Sequence, residues 1–415
     1  MKKFSIFALL ICALSLNACA QWYLFPGKKK QQQQQQTEKP ADSMAAFRDS
    51  LLMRETQAQK DSAALADSLA AGTPAWDSVF MLDIPDVIHI GLALPLQASA
   101  QKPSDNFLDF YSGALLALRD LGSSGLKAEL QVYDSGDSKT AIPKSLIDEN
   151  DVIIGPVSFE ELESSAPLCA GKVLISPLEP KAASLVAGGA VVQAPAGWNA
   201  QVDELVGWIR EELPIGDVLY VVRDSTAMTP GGQSAYFIEQ LQARGIRYQS
   251  VLSVSGITFK KGQKAHVAIA SEKENFITSA VRALGIEGAR NNNVVLYGTS
   301  RVRTNGITQT DLHSTEAHLT LSYFVDYDDP AVRQFILTYR ALFQGEPGSF
   351  AFQGYDTAHY FVTMCAKYGR QWYKKLPAYS ERGLQADFRF LDEPARINQA
   401  ARRVVYNSDL TTERR

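Results

Sequence analysis

DVIIGPVSFEELESSAPLCAGKVLISPLEP, residues 151–180, is the stretch that decides the fold. Apolar runs at residues 151–154 and 172–175 predict two strands, and the segment between them, residues 158–169, predicts a helix. Runs that are apolar on both faces are typical of parallel strands covered by helices. Ligands of open parallel sheets bind at the carboxyl ends of the strands. The candidate site therefore lies in the loops that directly follow the two strands.

Strands and helices alternate on both sides of this stretch. Strands are predicted at residues 87–96, 126–133, 191–194, 217–222, 248–254, 266–270 and 293–297. Helices are predicted at residues 105–121, 141–147, 198–213, 233–244, 274–284, 330–343 and 352–368. Residues 384–391 and 404–408 are predicted to form a closing strand pair. The alternation indicates βαβ units, and its restart after residue 198 indicates a second lobe of the same class.

We therefore predict an α/β fold with two doubly wound parallel-sheet lobes. The first lobe is assigned to residues 86–195 and 322–382, and the second to residues 196–321 and 383–415. A signal peptide, residues 1–18, and a low-complexity linker, residues 19–85, precede the lobes.

The first residues have the composition of a secretion signal. Two lysines precede an apolar run at residues 4–16, which is too short to span a bilayer. Residues 16–19, LNAC, resemble the bacterial lipobox, which implies that Cys19 becomes the lipidated first residue. Ala20 then favours the outer membrane, with the body of the protein in the periplasm. The alternative is an ordinary signal in which Cys19 is incidental.

The segment from the anchor to about residue 85 is polar and repetitive. Six consecutive glutamines, residues 31–36, and recurring Asp-Ser pairs cannot bury a core, so the segment is predicted to act as a linker. Residues 41–71 are rich in helix-forming residues, which leaves a transient helix or a short coiled coil open.

Composition narrows the function classes. The net charge of −4 argues against a nucleic-acid surface. Of the four cysteines, Cys169 and Cys365 lie in apolar helical contexts and are predicted to be buried free thiols. The alternative is a disulfide between them, which an oxidising compartment allows. The histidines are scattered, and His313 and His318 share no helix face, so no metal site is predicted. No Gly-x-Ser-x-Gly or phosphate-binding motif occurs. We predict a protein that is not an enzyme and needs no cofactor.

A longer segment carries a family resemblance. Residues 323–361, YFVDYDDPAVRQFILTYRALFQGEPGSFAFQGYDTAHYF, together with IHIGLALPL at residues 88–96 and NNNVVLYGTSRV at residues 291–302, resemble the type I periplasmic binding proteins of the leucine/isoleucine/valine-binding class. The resemblance covers most of the body. It implies two lobes joined by three crossovers, which close on a ligand by hinge motion.

The resemblance also implies which residues bind the ligand in the first lobe. Amino-acid-binding members hold the ligand carboxylate on hydroxyls and backbone N–H groups of two loops, which Ser158 and Ser176 match. Ser158 and Glu161 also fit a capping box at the start of a helix. The second loop has Glu179 and Pro180 where the family offers a small residue and a threonine. Since proline donates no N–H, one expected anion contact is missing.

In the second lobe the charge pattern departs from the family. The acid that binds the ligand's ammonium group is replaced by Thr299-Ser300-Arg301, while a neighbouring loop offers Glu272. An inverted polarity, with Arg301 or Arg303 meeting an anionic ligand, is one reading. The other is that these are solvated loop residues of a site that has drifted. The predicted ligand set is Ser158, Ser176, Glu179, Glu272, Thr299 and Arg301.

Two functions from different classes follow. The first is a lipid-anchored receptor that closes its lobes on a small polar ligand. The alternative is an envelope interaction protein with a degenerate cleft, similar to the outer-membrane lipoprotein regulators of peptidoglycan synthesis. The linker gives reach in either case.

Overall fold

Two β-sheets organise the part of the chain that the structure, a computed structural model, describes: residues 82–136, 139–226 and 228–415. These residues belong to one compact unit, Phe80–Arg415. The predicted signal peptide, Cys19 and nearly all of the predicted linker lie outside the described residues. Within them, no helix combines the length and the hydropathy that a membrane crossing requires.

The first sheet is parallel. It consists of β1 (Ile88–Leu94), β2 (Ala128–Asp134), β3 (Val152–Ile154), β4 (Leu174–Ser176) and β5 (Val191–Gln193), in the spatial order β2-β1-β3-β4-β5. Its connections contain α1 (Asp105–Ser123), α2 (Lys144–Glu149), α3 (Phe159–Ser165) and α4 (Ala183–Val186). The two strands of the opening stretch are thus confirmed as β3 and β4, and every residue of both is buried.

The helix between these strands is shorter than predicted. Its α-helical part, α3, ends at Ser165, and the 3₁₀ turn Ala166–Leu168 follows. Pro167 explains the difference, because its ring nitrogen carries no hydrogen for the bond that would continue the helix. The apolar spacing from residue 158 to 169 therefore marks a buried face but not a continuous helix.

The second sheet repeats the pattern. Its parallel part consists of β6 (Leu219–Arg223), β7 (Tyr248–Val251), β8 (Ala265–Ala270), β9 (Val294–Thr299) and β10 (His318–Leu321). Four helices accompany it in the described residues: α5 (Trp198–Glu212), α6 (Gln233–Ala243), α7 (Glu274–Ala289) and α8 (Gln309–Ser314). The predicted α/β fold with parallel-sheet lobes is confirmed.

After β10 the chain returns to the first lobe. Helices α9 (Pro330–Phe343) and α10 (Ser349–Tyr368) pack there, and the small hairpin of β11 (Glu381–Arg382) and β12 (Asp387–Phe388) follows. Strands β13 (Arg402–Tyr406) and β14 (Thr412–Arg414) then add an antiparallel edge to the second sheet. The second sheet has the order β14-β13-β10-β9-β8-β6-β7.

Two expectations for the last part of the chain are wrong. The strand pair predicted at residues 384–391 and 404–408 does not form, since β12 pairs with β11 and β13 pairs with β10 and β14. Phe388 and Phe390, which we assigned with residues 383–415 to the second lobe, lie in the first-lobe core. The ring of Phe388 stacks on Tyr360 with 4.4 Å between centroids. This packing and the pairing of β12 with β11 hold the segment in the first lobe.

Buried polar side chains hold the crossovers in place. The chain passes between the lobes after β5, after β10 and before β13. Arg402, 2% exposed, donates to the backbone carbonyls of Phe324, Leu384 and Gly383 and to the carboxylate of Asp387. The Arg402 side chain, at the start of β13, therefore connects the segment that follows β10 with the turn between β11 and β12.

Asp356 on α10 makes a second tie. Its carboxylate accepts the backbone N–H groups of Leu384, Gln385 and Ala386 at 2.7, 2.7 and 2.8 Å. Burial raises the pKa of Asp356 to about 6, although these N–H groups and the Arg402 charge act in the opposite direction. Because three successive N–H groups bind one carboxylate, Asp356 fixes the backbone of the turn between β11 and β12 against α10.

Arg370 fixes the point where the described chain begins. Its guanidinium lies 2.9 Å from Asp151 and also pairs with Asp83, and its backbone N–H donates to the carbonyl of Asp83 at 2.9 Å. Asp151 directly precedes β3. The chain therefore enters the first lobe at the amino ends of its strands.

The backbones of helices α1 and α10 approach each other closely at two glycines. A Cβ added at Gly113 would lie 1.9 Å from the carbonyl oxygen of Ala351, and one added at Gly354 would lie 2.0 Å from that of Phe110. These distances are far below van der Waals contact, so the crossing requires glycine at both positions.

We expect Gly113→Ala to lower the free energy of unfolding by about 1–3 kcal/mol, because the two helices must separate to admit the methyl group. Gly122→Ala on the same helix is the matched control. Nothing lies within 4 Å of a Cβ at Gly122, so alanine there should stabilise by up to about 1 kcal/mol. Urea unfolding of both variants measures the difference, and equal stabilities would contradict the crossing described here.

Candidate functional site

The first predicted loop follows β3 and is engaged in capping α3. The hydroxyl of Ser158 accepts the backbone N–H of Glu161 at 3.3 Å and donates to the carboxylate of Glu161 at 2.9 Å. The predicted capping pair is therefore present, although the carboxylate meets the hydroxyl rather than the Ser158 backbone N–H. Glu161 itself is buried, 2% exposed. The Ser158 hydroxyl is not free for a ligand in this conformation.

The second predicted loop lies at the end of β4, and its polar side chains are either buried or bonded within the loop. Ser176 is fully buried, and its hydroxyl has no hydrogen-bond partner among the described residues. Glu179 accepts the backbone N–H of Lys181 at 2.8 Å and so caps the 3₁₀ turn Pro180–Ala182. The carboxylate that the sequence places in a ligand site thus stabilises its own loop.

The three predicted second-lobe residues do lie together. The guanidinium of Arg301 is 2.9 Å from the carboxylate of Glu272 and also donates to the Glu272 carbonyl at 2.8 Å. The other carboxylate oxygen of Glu272 accepts the backbone N–H of Ser234 at 2.8 Å. Thr299 accepts the side-chain amide of Gln233 at 2.8 Å. The two opposite charges of the predicted inverted site therefore neutralise each other.

The cavities beside this cluster are small. One of about 30 Å³ is lined by Gln233, Thr299 and Arg301, among others. A neighbouring one of about 100 Å³ is lined by Asp224, Glu272 and other residues. Small-molecule sites usually measure about 300–1,000 Å³. Among the described residues, no hydrogen bond or ion pair joins this cluster to Ser158, Ser176 or Glu179.

A larger cavity lies beside the return crossover, and we call it the crossover cavity. It measures about 720 Å³ and is lined by residues from both lobes: Arg303, Gln309, residues 323–328, Ser349, Gln385, Tyr406 and residues 410–412. Sequence reasoning singled out only Arg303 among these. The others come from five segments that only the tertiary fold brings together, so no local pattern could have indicated them.

The described residues offer no metal or thiol chemistry. No group of three His, Cys, Asp or Glu side chains among them could hold a metal ion. His313 bonds to the Asn407 carbonyl at 2.8 Å, and His318 pairs with Glu212 at 2.7 Å. Cys169 and Cys365 are buried free thiols, as predicted, and burial raises the pKa of the Cys169 thiol to about 11.

Two parallel α/β lobes joined by three chain crossings, with α9 and α10 returned to the first lobe, define the type I periplasmic-binding fold. Among solved structures of this fold, a putative branched-chain amino acid ABC transporter protein from Rhodospirillum rubrum aligns with a TM-score of 0.56 and 15% identity, covering 79% of this chain and 100% of its own. This likeness shows the fold.

Other solved structures align less closely. A substrate-binding protein from Desulfitobacterium hafniense in complex with Leu has a TM-score of 0.46 and 17% identity, covering 79% of this chain and all of its own. The LpoA C-domain from Haemophilus influenzae, a regulator of PBP1A, has a TM-score of 0.49 and 13% identity, covering 79% of this chain and 99% of its own. No family model and no curated protein matches the chain.

Proposed function

We propose that this protein is a periplasmic interaction protein built on the solute-binding fold, tethered to the outer membrane through Cys19 and the linker at residues 19–85. In this proposal its partner is another envelope protein, and the standard amino-acid site of the fold is disused. One observation carries the proposal: the polar groups predicted to hold a ligand already have partners inside the protein, or are buried.

At the second-lobe cluster, a ligand would have to compete with the ion pair between Arg301 and Glu272. An anionic ligand approaching Arg301 would be repelled by the carboxylate of Glu272, 2.9 Å away. A ligand ammonium approaching Glu272 would meet the Arg301 guanidinium in the same way. Because a bound ligand must first separate this pair, the cluster favours the unliganded state.

The length of the predicted linker would let the protein reach a partner away from the membrane surface. A flexible coil of 67 residues has a root-mean-square end-to-end distance of about 45 Å. Lipidation at Cys19 is tested by Cys19→Ser in the full chain, which should move the protein from the membrane fraction to the soluble periplasmic fraction. Retention of the variant in the membrane fraction would show that the anchor lies elsewhere.

The function is tested by thermal unfolding of the chain from residue 20 onward, with each standard α-amino acid in turn. A ligand present at 100 times its dissociation constant adds about 2.7 kcal/mol to the free energy of unfolding. We expect no amino acid to produce such a shift. A reproducible shift with one amino acid would identify a solute receptor instead.

The partner is sought in cells with a photoreactive residue in place of Tyr327, which is 65% exposed beside the return crossover. The same residue in place of Ile215, fully exposed in the second lobe, is the control. We expect one discrete envelope protein to crosslink at position 327 and not at position 215. Absence of any adduct at position 327 would refute the proposal.

A solute receptor is the second candidate. It is favoured by the convergence of Gln233, Ser271 and Thr299 beside one cavity at the carboxyl ends of β8 and β9, where ligands of such sheets bind. This reading requires a conformation in which that cavity is larger, and the amino-acid panel decides between the two.

A further inference from the structure

We propose that the crossover cavity binds an extended peptide segment that ends in a free carboxylate. Arg303 meets the carboxylate, Gln385 accepts a peptide N–H, and the aromatic wall receives an apolar side chain. This inference rests on the proposed function in one respect: the segment would belong to the envelope partner. The site itself can be tested with peptides alone.

The first argument is an unsatisfied buried acceptor. Gln385 is 5% exposed and lines the cavity. Its amide nitrogen donates to the hydroxyl of Ser349 at 2.8 Å, whereas its amide oxygen has no hydrogen-bond partner among the described residues. A buried acceptor without a donor is costly, so a ligand that brings an N–H group is favoured here. Peptide groups supply such donors at every residue.

The second argument is an unpaired cation. The Arg301 guanidinium is held by Glu272, but the guanidinium of Arg303 makes no hydrogen bond or ion pair within the described residues. The nearby acid Asp328 is already paired with Arg333. Guanidinium groups bind carboxylates through two parallel N–H···O bonds, which are stronger than bonds between neutral groups. A terminal carboxylate therefore suits the open end of the cavity.

The third argument is the apolar surface of the same cavity. Tyr327 and Leu410 are 65% and 71% exposed, although both are large apolar side chains, and Tyr323 and Phe324 line the same wall. Covering such side chains removes apolar area from water, which is favourable. A volume of about 720 Å³ lies within the range of ligand sites. Donor, carboxylate and apolar side chain together specify a peptide.

Because the cavity is lined by both lobes, peptide binding there would affect how the lobes are arranged. Ser349 begins α10 in the first lobe, whereas Arg303 and Gln309 belong to the second. A peptide that spans both sets of residues binds one arrangement of the lobes better than others, and so shifts the protein towards that arrangement.

The test uses the chain from residue 20 onward and two pooled libraries of N-acetylated random pentapeptides, one with free carboxyl termini and one with C-terminal amides. Retained peptides are quantified by affinity selection and mass spectrometry. We expect the free-acid library to be enriched at least about tenfold over the amide library, which corresponds to one charge-assisted pair. Arg303→Gln should abolish this enrichment.

Arg290→Gln is the matched control, because Arg290 is an exposed second-lobe arginine that does not line the cavity. It should leave the enrichment unchanged. Equal retention of both libraries, or unchanged enrichment with Arg303→Gln, overturns the inference.

The in-cell crosslink separates this inference from the proposed function. A discrete partner that crosslinks equally well to wild type and Arg303→Gln leaves the proposed function intact and overturns the peptide site. Enrichment of free-acid peptides without any partner in cells supports the site and refutes the proposed function.

Discussion

Replacing Arg402 by alanine is expected to lower the free energy of unfolding by about 3–5 kcal/mol. The arginine side chain is fully buried and donates to three backbone carbonyls and the Asp387 carboxylate. Its removal leaves three buried carbonyl oxygens without this donor, and Asp387 keeps its ion pair with Arg414. Buried acceptors that lose a charged donor cost more than the loss of an ordinary surface pair. The loss should also loosen the crossovers, since Arg402 joins Phe324 to Leu384, which leaves the backbone bond from Phe324 to Gln385 as a remaining link between these segments.

Urea unfolding at pH 7 measures the change. The control is Arg382→Ala, an exposed arginine of the neighbouring hairpin, which should alter the free energy of unfolding by no more than about 0.5 kcal/mol. If Arg402→Ala and Arg382→Ala prove equally stable, the crossover tie contributes nothing and the network described here is not what joins the lobes.

The second large effect is expected at Glu212, the last residue of α5, which contacts strands β9 and β10. Its carboxylate accepts from His318 Nδ1 at 2.7 Å, Trp208 Nε1 at 2.6 Å and the Tyr297 hydroxyl at 3.1 Å. Burial alone would raise the pKa of Glu212, but the hydrogen bond and charge of His318 and the other donors lower it to about 2 from its ordinary 4.5. Glu212→Gln replaces one acceptor oxygen with a donor and should cost roughly 3 kcal/mol at pH 7.

The sign of the pH dependence follows from the lowered pKa. The folded state binds the proton less tightly than the unfolded state, so the Glu212 contribution is present above pH 4.5 and is lost as the pH falls towards 2. Glu212→Gln should therefore flatten the acid side of the stability profile. Free energies of unfolding at pH 7, 4.5 and 2.5 test this, with the exposed Glu239→Gln as control. A parallel profile for wild type and Glu212→Gln would contradict it.

The parallel sheets could be predicted because their information is local. Apolar runs such as residues 152–154 and 174–175 indicate buried strands whatever their partners, and alternation with helices indicates the topology. Pairing at the chain end could not be predicted in this way. The sequences of short strands such as β12 and β13 do not indicate which strand each one pairs with. The contact of Phe388 with Tyr360 forms only when the first-lobe core is assembled.

Of the six residues predicted to bind a ligand, three lie together in the structure, and their pairing was not predicted. Glu272, Thr299 and Arg301 lie near one another, as expected from the carboxyl ends of adjacent strands. That the two charges pair with each other could not be read from residues 29 positions apart. Likewise Ser349 and Gln385 contribute to one cavity only because Asp356 holds the chain beside α10. Sequence patterns identify polar residues at an edge, whereas their partners are decided by the tertiary fold.

The bonds of Arg370 to Asp83 and Asp151 have a mechanical consequence. They fasten the start of the described chain at the amino ends of the first-lobe strands, whereas Ser158 and Ser176 stand at the carboxyl ends. A force applied at residue 82 therefore acts first on this clamp and on the end of α10, which lies two residues before Arg370. In the proposed function, the tether therefore holds the pole opposite to the loops after β3 and β4.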